Sequence, residues 1–441
     1  MRIQDWLRAL LLALGLTACG AGVLAGSVSP WLPAGAAAVF LLLNLFPVWH
    51  RRGLPLARRA ELGGAALLTA FLLSIGLQAV LLVVWQLREP DAFAAGWWRW
   101  LLACLIADSL VFWNGILRVY ICAPVLGAKW RALGLLCGWI PVVHLVVLGH
   151  ILRLVYFDVH AEEERAARNT RRAGQRVCAT RYPLVLIHGV FFRDVRYLNY
   201  WGRIPAQLEQ NGATVYYGGQ QSALSVADSA AEIAAAVRRI VADTGCDKVN
   251  LIAHSKGGLD ARYACSRLGL APLVASLTTI NTPHRGCAFA DWLLSKVSPR
   301  FRDGVARTYN AALRRLGDRS PDFLAAVTDL TAARCAQLNA ELPDAPGVYY
   351  QSTASCIHKP LRGVFPLCFT HDFVGLFDGE NDGLVSVTSA AWGVRCIRLD
   401  TPAPEGISHA DMIDMSRHNR PDFDVCEWYV ELVSDLKNRG F

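Results

Sequence analysis

"KVNLIAHSKGGLDARY" (residues 248–263) decides how the C-terminal part of this chain reads. An apolar run, Leu251, Ile252 and Ala253, stops at His254 and Ser255, and Gly257 and Gly258 follow at once. A buried strand that passes into a helix through one residue holds that residue in a sharp, strained turn. Small residues on either side, here Ala253 and Gly257, let neighbouring elements pass closely. The plainer reading makes Ser255 a helix cap. The strand–turn–helix context favours a serine presented for chemistry.

Working outward, "PLVLIHG" (183–189), "ATVYYGG" (213–219) and "VASLTTINTP" (274–283) are further short apolar runs. Between them, residues 226–242 and the stretch after Ser255 carry apolar residues at helical spacing. Such alternation predicts an α/β domain with a mostly parallel sheet and helices on both faces. In these sheets ligands bind at the carboxyl ends of the strands. His188, Ser255 and "NTPHRG" (281–286) all fall there.

A serine hydroxyl needs a base to take its proton and a third group to orient that base. In the chain order Ser, acid, His, "GENDGLVSVTSA" (379–390) offers Asp382 and "GISHADMID" (406–414) offers His409. Asp378, Asp400 and Asp411 are rival acids, and His371 and His418 rival bases. His254 adjoins the serine but should point elsewhere, as an architectural residue. Two N–H donors must meet the oxyanion. One is the backbone amide of Lys256, at a helix N-terminus. The other is expected from "HGVFF" (188–192), at Val190, with His188 bracing the loop.

The first part of the chain has a different character. Of 44 Lys/Arg and 36 Asp/Glu, residues 1–155 hold 12 and 5, leaving 32 and 31 for the rest. The net charge of +8 therefore belongs almost wholly to the N-terminal part. These basic residues lie between apolar runs and form no stripe, so nucleic acid is excluded as a partner. Runs of bilayer length fall at 6–26, 33–49, 63–85, 101–120 and 133–156, with Trp and Tyr at their ends. The expectation is a transmembrane region of about five helices (1–156), a charged linker (157–181) and a catalytic domain (182–441).

"LTAC" (16–19) resembles a lipoprotein cleavage box, but apolar sequence continues past it, so an ordinary span is expected. The positive-inside rule puts the N-terminus in the cytoplasm, and five spans then put the catalytic domain outside, behind a bacterial inner membrane. Arg165, Arg168, Arg171, Arg172 and Arg176, just after the fifth span, argue the other way. Asp108, Asn114, His144 and His150 lie inside spans and are expected to hydrogen-bond between helices. The nine Cys after residue 155 form no CxxC pair, which gives no zinc spacing. Cys356 and Cys368 flank a loop and could pair.

Taken together, "YPLVLIHGV" (182–190), "YWGRIPAQLEQNGATVYY" (200–217), "AHSKGGLDARY" (253–263), "INTPHRGCAFADWL" (280–293), "LTAARCAQLNAELPDAPGVYYQS" (330–352), "NDGLVSVTSA" (381–390) and "SHADMID" (408–414) resemble the true bacterial triacylglycerol lipases of the α/β-hydrolase superfamily. The resemblance is to the Pseudomonas/Burkholderia type and covers about residues 182–433. It implies Ser255, Asp382 and His409 as a triad, Val190 and Lys256 as oxyanion donors, and a helical cap over about 288–342. It also implies a calcium ion near the catalytic His, with Asp411 as one ligand. The second acid, some twenty residues before Asp382, would fall near 359–362, which has none, so no metal is expected. The relatives' second Cys would fall at Thr388, so their disulfide is absent. Those lipases are secreted, whereas this domain follows apolar spans.

The expected activity is cleavage of carboxylic esters, of lipids or small molecules, without a cofactor and next to membrane lipids. The alternatives are a transporter or scaffold with a regulatory or inactive hydrolase-like domain, and an acyltransferase using the same residues.

Overall fold

The computed structural model describes residues 2–24, 31–48, 54–190, 199–359 and 367–441. The chain forms two compact units, Met1–Arg168 and Asn169–Phe441.

The first unit is helical: α1 (Ile3–Leu24), α2 (Trp31–Leu45), α3 (Leu56–Arg88), α4 (Pro90–Cys122), α5 (Gly127–Cys137) and α6 (Pro141–Arg172), the last running past the division. Glu89 alone joins α3 to α4. These two helices approach backbone to backbone where both carry glycine. A Cβ on Gly64 would lie 2.8 Å from the Gly115 carbonyl, and one on Gly115 2.8 Å from Leu68 Cγ. Small residues at a crossing permit such packing where no hydrophobic force separates helix from lipid. Asp108 accepts a hydrogen bond from Ser74 at 2.9 Å, and Asn114 donates to Asn44 at 2.6 Å, so both bond between helices. His144 and His150 instead pack their rings against Phe112 and Trp130.

Among the described residues three stretches, Leu56–Arg88, Pro90–Cys122 and Val142–Gln175, are long and apolar enough to cross a membrane. The expected span at 133–156 is broken. α5 ends at Cys137 and α6 starts at Pro141, which lacks the N–H a continuing helix would need. Within the expected linker at 157–181, α6 carries on as a helix to Arg172. Its charges are partnered: Asp158 with Arg58, His160 with Asp5, and Arg165 with Glu162. Residues 25–30 and 49–53, including the end of the first expected span and Arg51 and Arg52, lie outside the described residues.

The second unit is built on six parallel strands: β1 (Leu184–Ile187), β2 (Val215–Tyr217), β3 (Val249–His254), β4 (Val274–Ile280), β5 (Tyr349–Ser355) and β6 (Arg395–Leu399). Their order is β2-β1-β3-β4-β5-β6. Side chains alternate between faces along each strand. Leu184, Leu186 and Ile252 meet Trp201, Tyr429 and Val433 on one face. Val185, Ile187 and Leu251 meet Ile233, Val237 and Ala264 on the other. The first face is covered by α7 (Ile204–Gln210) and the C-terminal helix, the second by α8 (Val226–Thr244) and α9 (Lys256–Arg267). Ser225 caps α8 by accepting from the Asp228 amide, and Gly245, at φ 69°, ends it.

Between β4 and β5 lies a helical layer: α10 (Ala288–Lys296), α11 (Pro299–Arg315), α12 (Phe323–Thr328) and α13 (Ala332–Glu341). After β5 come α14 (Leu367–Asp378) and the short α15 (Val387–Ala390), then β6 and α16 (Val425–Asn438). The motifs named above that end β1, β3 and β4 therefore share one edge of the sheet.

Candidate active site

β3 ends at His254, and α9 begins at Lys256. Ser255 between them has φ 55° and ψ −133°, a left-handed conformation that costs a non-glycine residue free energy. Its amide donates to the Ile280 carbonyl of β4 at 2.9 Å. The neighbouring glycines are sterically required. A Cβ on Gly257 would lie 2.5 Å from the His188 carbonyl, and one on Gly258 2.1 Å from Thr282 Oγ1. A Cβ on Gly189 would lie 2.8 Å from Ser255 Cβ, so the turn after β1 passes directly against the serine.

His254 is fully buried, with Nδ1 2.7 Å from the Tyr200 hydroxyl. Burial, helped by nearby His409, holds its imidazole well below the usual range, so it is neutral at pH 7. It serves as architecture. The Lys256 ammonium turns away from the serine as well, bonding Asp260 at 2.7 Å and Ser229 at 3.0 Å within the core. Burial lifts the Asp260 carboxyl to about 7 although Lys256 draws it down. What Lys256 offers at the sheet edge is its amide, at the positive end of the α9 dipole.

Val190 is buried and packs with Ala223, Leu313 and Ala326. His188 bridges the Gly189 carbonyl at 2.8 Å and the Gln220 carbonyl at 2.9 Å, fastening that turn. Phe191 and Phe192 lie outside the described residues.

Asp382 is fully buried, yet each oxygen has partners. Oδ1 accepts from the amides of Leu384 and Val385 at 2.9 and 2.8 Å. Oδ2 accepts from Asn281 Nδ2 at 2.6 Å and lies 2.7 Å from His409 Nδ1. The His409 amide also donates to the Asp382 carbonyl at 2.9 Å. This arrangement fixes the ring and leaves Nε2 for a proton transfer. The His409 and His254 rings are 4.4 Å apart, which brings the expected base beside the residue preceding Ser255. Among the described residues no hydrogen bond joins the Ser255 hydroxyl to His409, a bond that often closes only with substrate.

Three of the rival residues have other partners. Asp378 accepts from the first amides of α10. Asp400 pairs with His358 at 2.7 Å, and His371 with Asp372 at 3.0 Å.

Two residues that sequence reasoning passed over complete the base side. Asn281, with φ 47° at the end of β4, ties Asp382 to Ser355. Arg420 donates to Asp411 at 2.8 Å, to the Gly406 carbonyl at 2.7 Å and to Asp422 at 2.6 Å, clamping both ends of the His409 loop. Asp411 further accepts from the Ser408 amide and hydroxyl. Among the described residues its charge is thus already matched by a guanidinium. Of residues 359–362, where a second acid was sought, 360–362 lie outside the described residues. Cys356, His358 and Asp400 bring three metal-binding atoms within 4.8 Å of one another, with Cys356 a free thiol. The His358–Asp400 pair accounts for two of the three. The Cys368 side chain lies outside the described set.

Residues 182–363 match the family model for the alpha/beta hydrolase fold. A triacylglycerol lipase of Burkholderia plantarii is 38% identical over 189 residues, covering 39% of this chain and 51% of that protein. A triacylglycerol lipase of Pseudomonas fragi is 31% identical over 297 residues, covering 59% of this chain and 98% of that protein. The match thus spans about half of the first relative and nearly all of the second. The crystal structure of Staphylococcus hyicus lipase superposes with a TM-score of 0.46 at 18% identity, covering 59% of this chain and 97% of that one.

Proposed function

This chain belongs to the bacterial lipase family of the α/β-hydrolase superfamily, and on that premise we propose that it is a membrane-tethered serine hydrolase cleaving carboxylic esters of lipids. The observation that carries the reading is the Asp382–His409 pair, 2.7 Å apart, on the sheet edge where Ser255 is held at φ 55°.

In this reading Ser255 Oγ attacks the ester carbonyl while His409 Nε2 takes the hydroxyl proton. The carbonyl oxygen becomes an oxyanion, met by the backbone amides of Lys256 and Val190. As the tetrahedral species collapses, the C–O bond to the alcohol breaks and His409 returns the proton to the leaving oxygen. Water then attacks the acyl-serine, giving its proton to His409, and the acid departs with Ser255 regenerated. Asp382 fixes the ring and stabilises it while it is charged. The helical layer α10–α13 serves as the cap, a role favoured by the packing of Val190 against Leu313 and Ala326. Exposed Trp292 and Leu293 of α10 then offer an apolar wall to an acyl chain.

The test is hydrolysis of short- and long-chain p-nitrophenyl esters by the purified full-length protein and by Ser255→Ala. The expected loss in the variant is on the order of 10⁴-fold or more. Equal rates would remove Ser255 from the mechanism, and a wild type inert on every ester would favour the scaffold reading. With an added alcohol, a new ester as the main product in place of the free acid would make it an acyltransferase.

A further inference from the structure

The first unit carries most of its charge at one end. Arg2 donates to Glu163 and Glu164 at 3.0 and 2.9 Å, and Asp5 lies 2.8 Å from His160. Arg58, in the first turn of α3, pairs with Glu61 and Asp158. The start of α1, the start of α3 and residues 158–164 of α6 are therefore level with one another. The close of α4 is at that end too, since Arg118 donates to the carbonyls of Asn44 and Leu45 at the close of α2. Arg131 of α5 joins them by donating to the carbonyls of Tyr120 and Ala123.

α5 has 11 residues, a rise of about 16 Å, which is roughly half of a hydrocarbon core about 30 Å thick. It then turns into α6, which returns to the charged end, with Trp130 and His150 4.1 Å apart on the way. The turn itself is apolar and uncovered: Leu136 is 75% exposed, Trp139 90% and Val142 74%. Residues 132–152 contain no Asp, Glu, Lys or Arg. In water such a turn would be a large bare apolar patch. In lipid its surroundings match it.

We infer that α5 and the first half of α6 form a re-entrant hairpin, its tip in the hydrocarbon, so that the chain leaves the bilayer on the side where α1 starts. The occupant of the exposed tip is acyl chain. Arg2, Arg8, Arg58, Arg59, Arg118, Lys129, Arg131, Arg165 and Arg168 then lie towards one face, and Arg88 and Arg99 towards the other. The positive-inside rule makes the first face cytoplasmic, and the catalytic unit cytoplasmic with it. This reverses the outside placement expected from the sequence, where 133–156 counted as a crossing. It also removes the conflict raised by the arginines that follow residue 164. The inference rests on the first unit lying in a membrane and is independent of the catalytic reading.

The full chain, carrying an epitope after Phe441 and expressed in a bacterial inner membrane, is treated with protease in right-side-out and inverted vesicles. The epitope is expected to survive in the first and be lost in the second; the opposite pattern overturns the inference. A Trp139→Cys variant tests the tip by its labelling with a membrane-impermeant maleimide beyond the wild type. No added label is expected from either face, and one per chain is expected in detergent. Added label from either aqueous face would mean that the tip is not in hydrocarbon. Neither measurement depends on ester hydrolysis.

Discussion

Ser255 and His409 are held by different means. The serine sits in a short contiguous stretch shaped by backbone and steric fit, with Gly257 and Gly258 pressed against the His188 carbonyl and Thr282. The histidine sits on a loop with little regular structure, held by polar groups from distant parts of the chain. Ile407 donates to the Cys356 carbonyl, Ile357 to the Asn381 carbonyl and His409 to the Asp382 carbonyl. Arg420 closes the loop from the other side. A change of volume should therefore break the first arrangement, and a change of charge the second.

The largest effect that would separate the two belongs to Asp382→Asn. The amide cannot accept from Asn281, two backbone amides and His409 as the carboxylate does, and it cannot steady a charged ring. We expect kcat to fall about 10⁴-fold in a folded protein. A fall of only a few-fold would move the orienting role to another acid. Next comes Arg420→Met, which leaves the buried Asp411 carboxylate without its cation. Breaking such a pair from one side costs about 3–5 kcal/mol. Thermal unfolding should show that loss, and the double variant Arg420→Met/Asp411→Asn should recover most of it. A double variant no more stable than the single one would show that the loop does not depend on this charge balance.

The smallest effect is a pH dependence on the serine side. Burial lifts Asp260 to about 7 in the folded chain from an ordinary 3.8. Between those values the folded state keeps a proton that the unfolded state has released. This contribution to stability is full below about pH 4 and is lost as pH rises through about 7. Asp260→Asn should flatten that part of the stability–pH profile, and an unchanged slope would exclude Asp260 as its source.

The same contrast explains what the sequence disclosed. The elbow was legible because strand, strained residue, glycines and helix are contiguous, and β1 to β4 were legible because they are runs of apolar residues. β5 and β6 escaped notice. β5 reads Tyr-Tyr-Gln-Ser-Thr-Ala-Ser, whose polar side chains are buried by pairing, as Gln351 does with Thr278. β6 is an edge strand of alternating exposure. Asn281 and Arg420 escaped because their partners lie 101 and 9 positions away and no local pattern joins them. The turn between α5 and α6, on which the inferred hairpin rests, was not legible for a related reason. Hydropathy measures each run by itself, and only the pairing of Asp5, Arg58 and Asp158 with their partners reveals which ends of the runs coincide.

The link between α3 and α4 carries a consequence for the opposite face. Each helix has 33 residues, about 50 Å of rod where the hydrocarbon is only about 30 Å thick. Tilt absorbs part of the surplus. Trp97 and Trp98, both partly exposed, mark an interfacial level on α4. Above them Arg88, Glu89 and Asp91 form a polar tip. On the placement inferred above, the two helices end beyond the lipid as a short stalk closed by a single residue, a compact epitope that an antibody raised against residues 86–96 would reach from the non-cytoplasmic face.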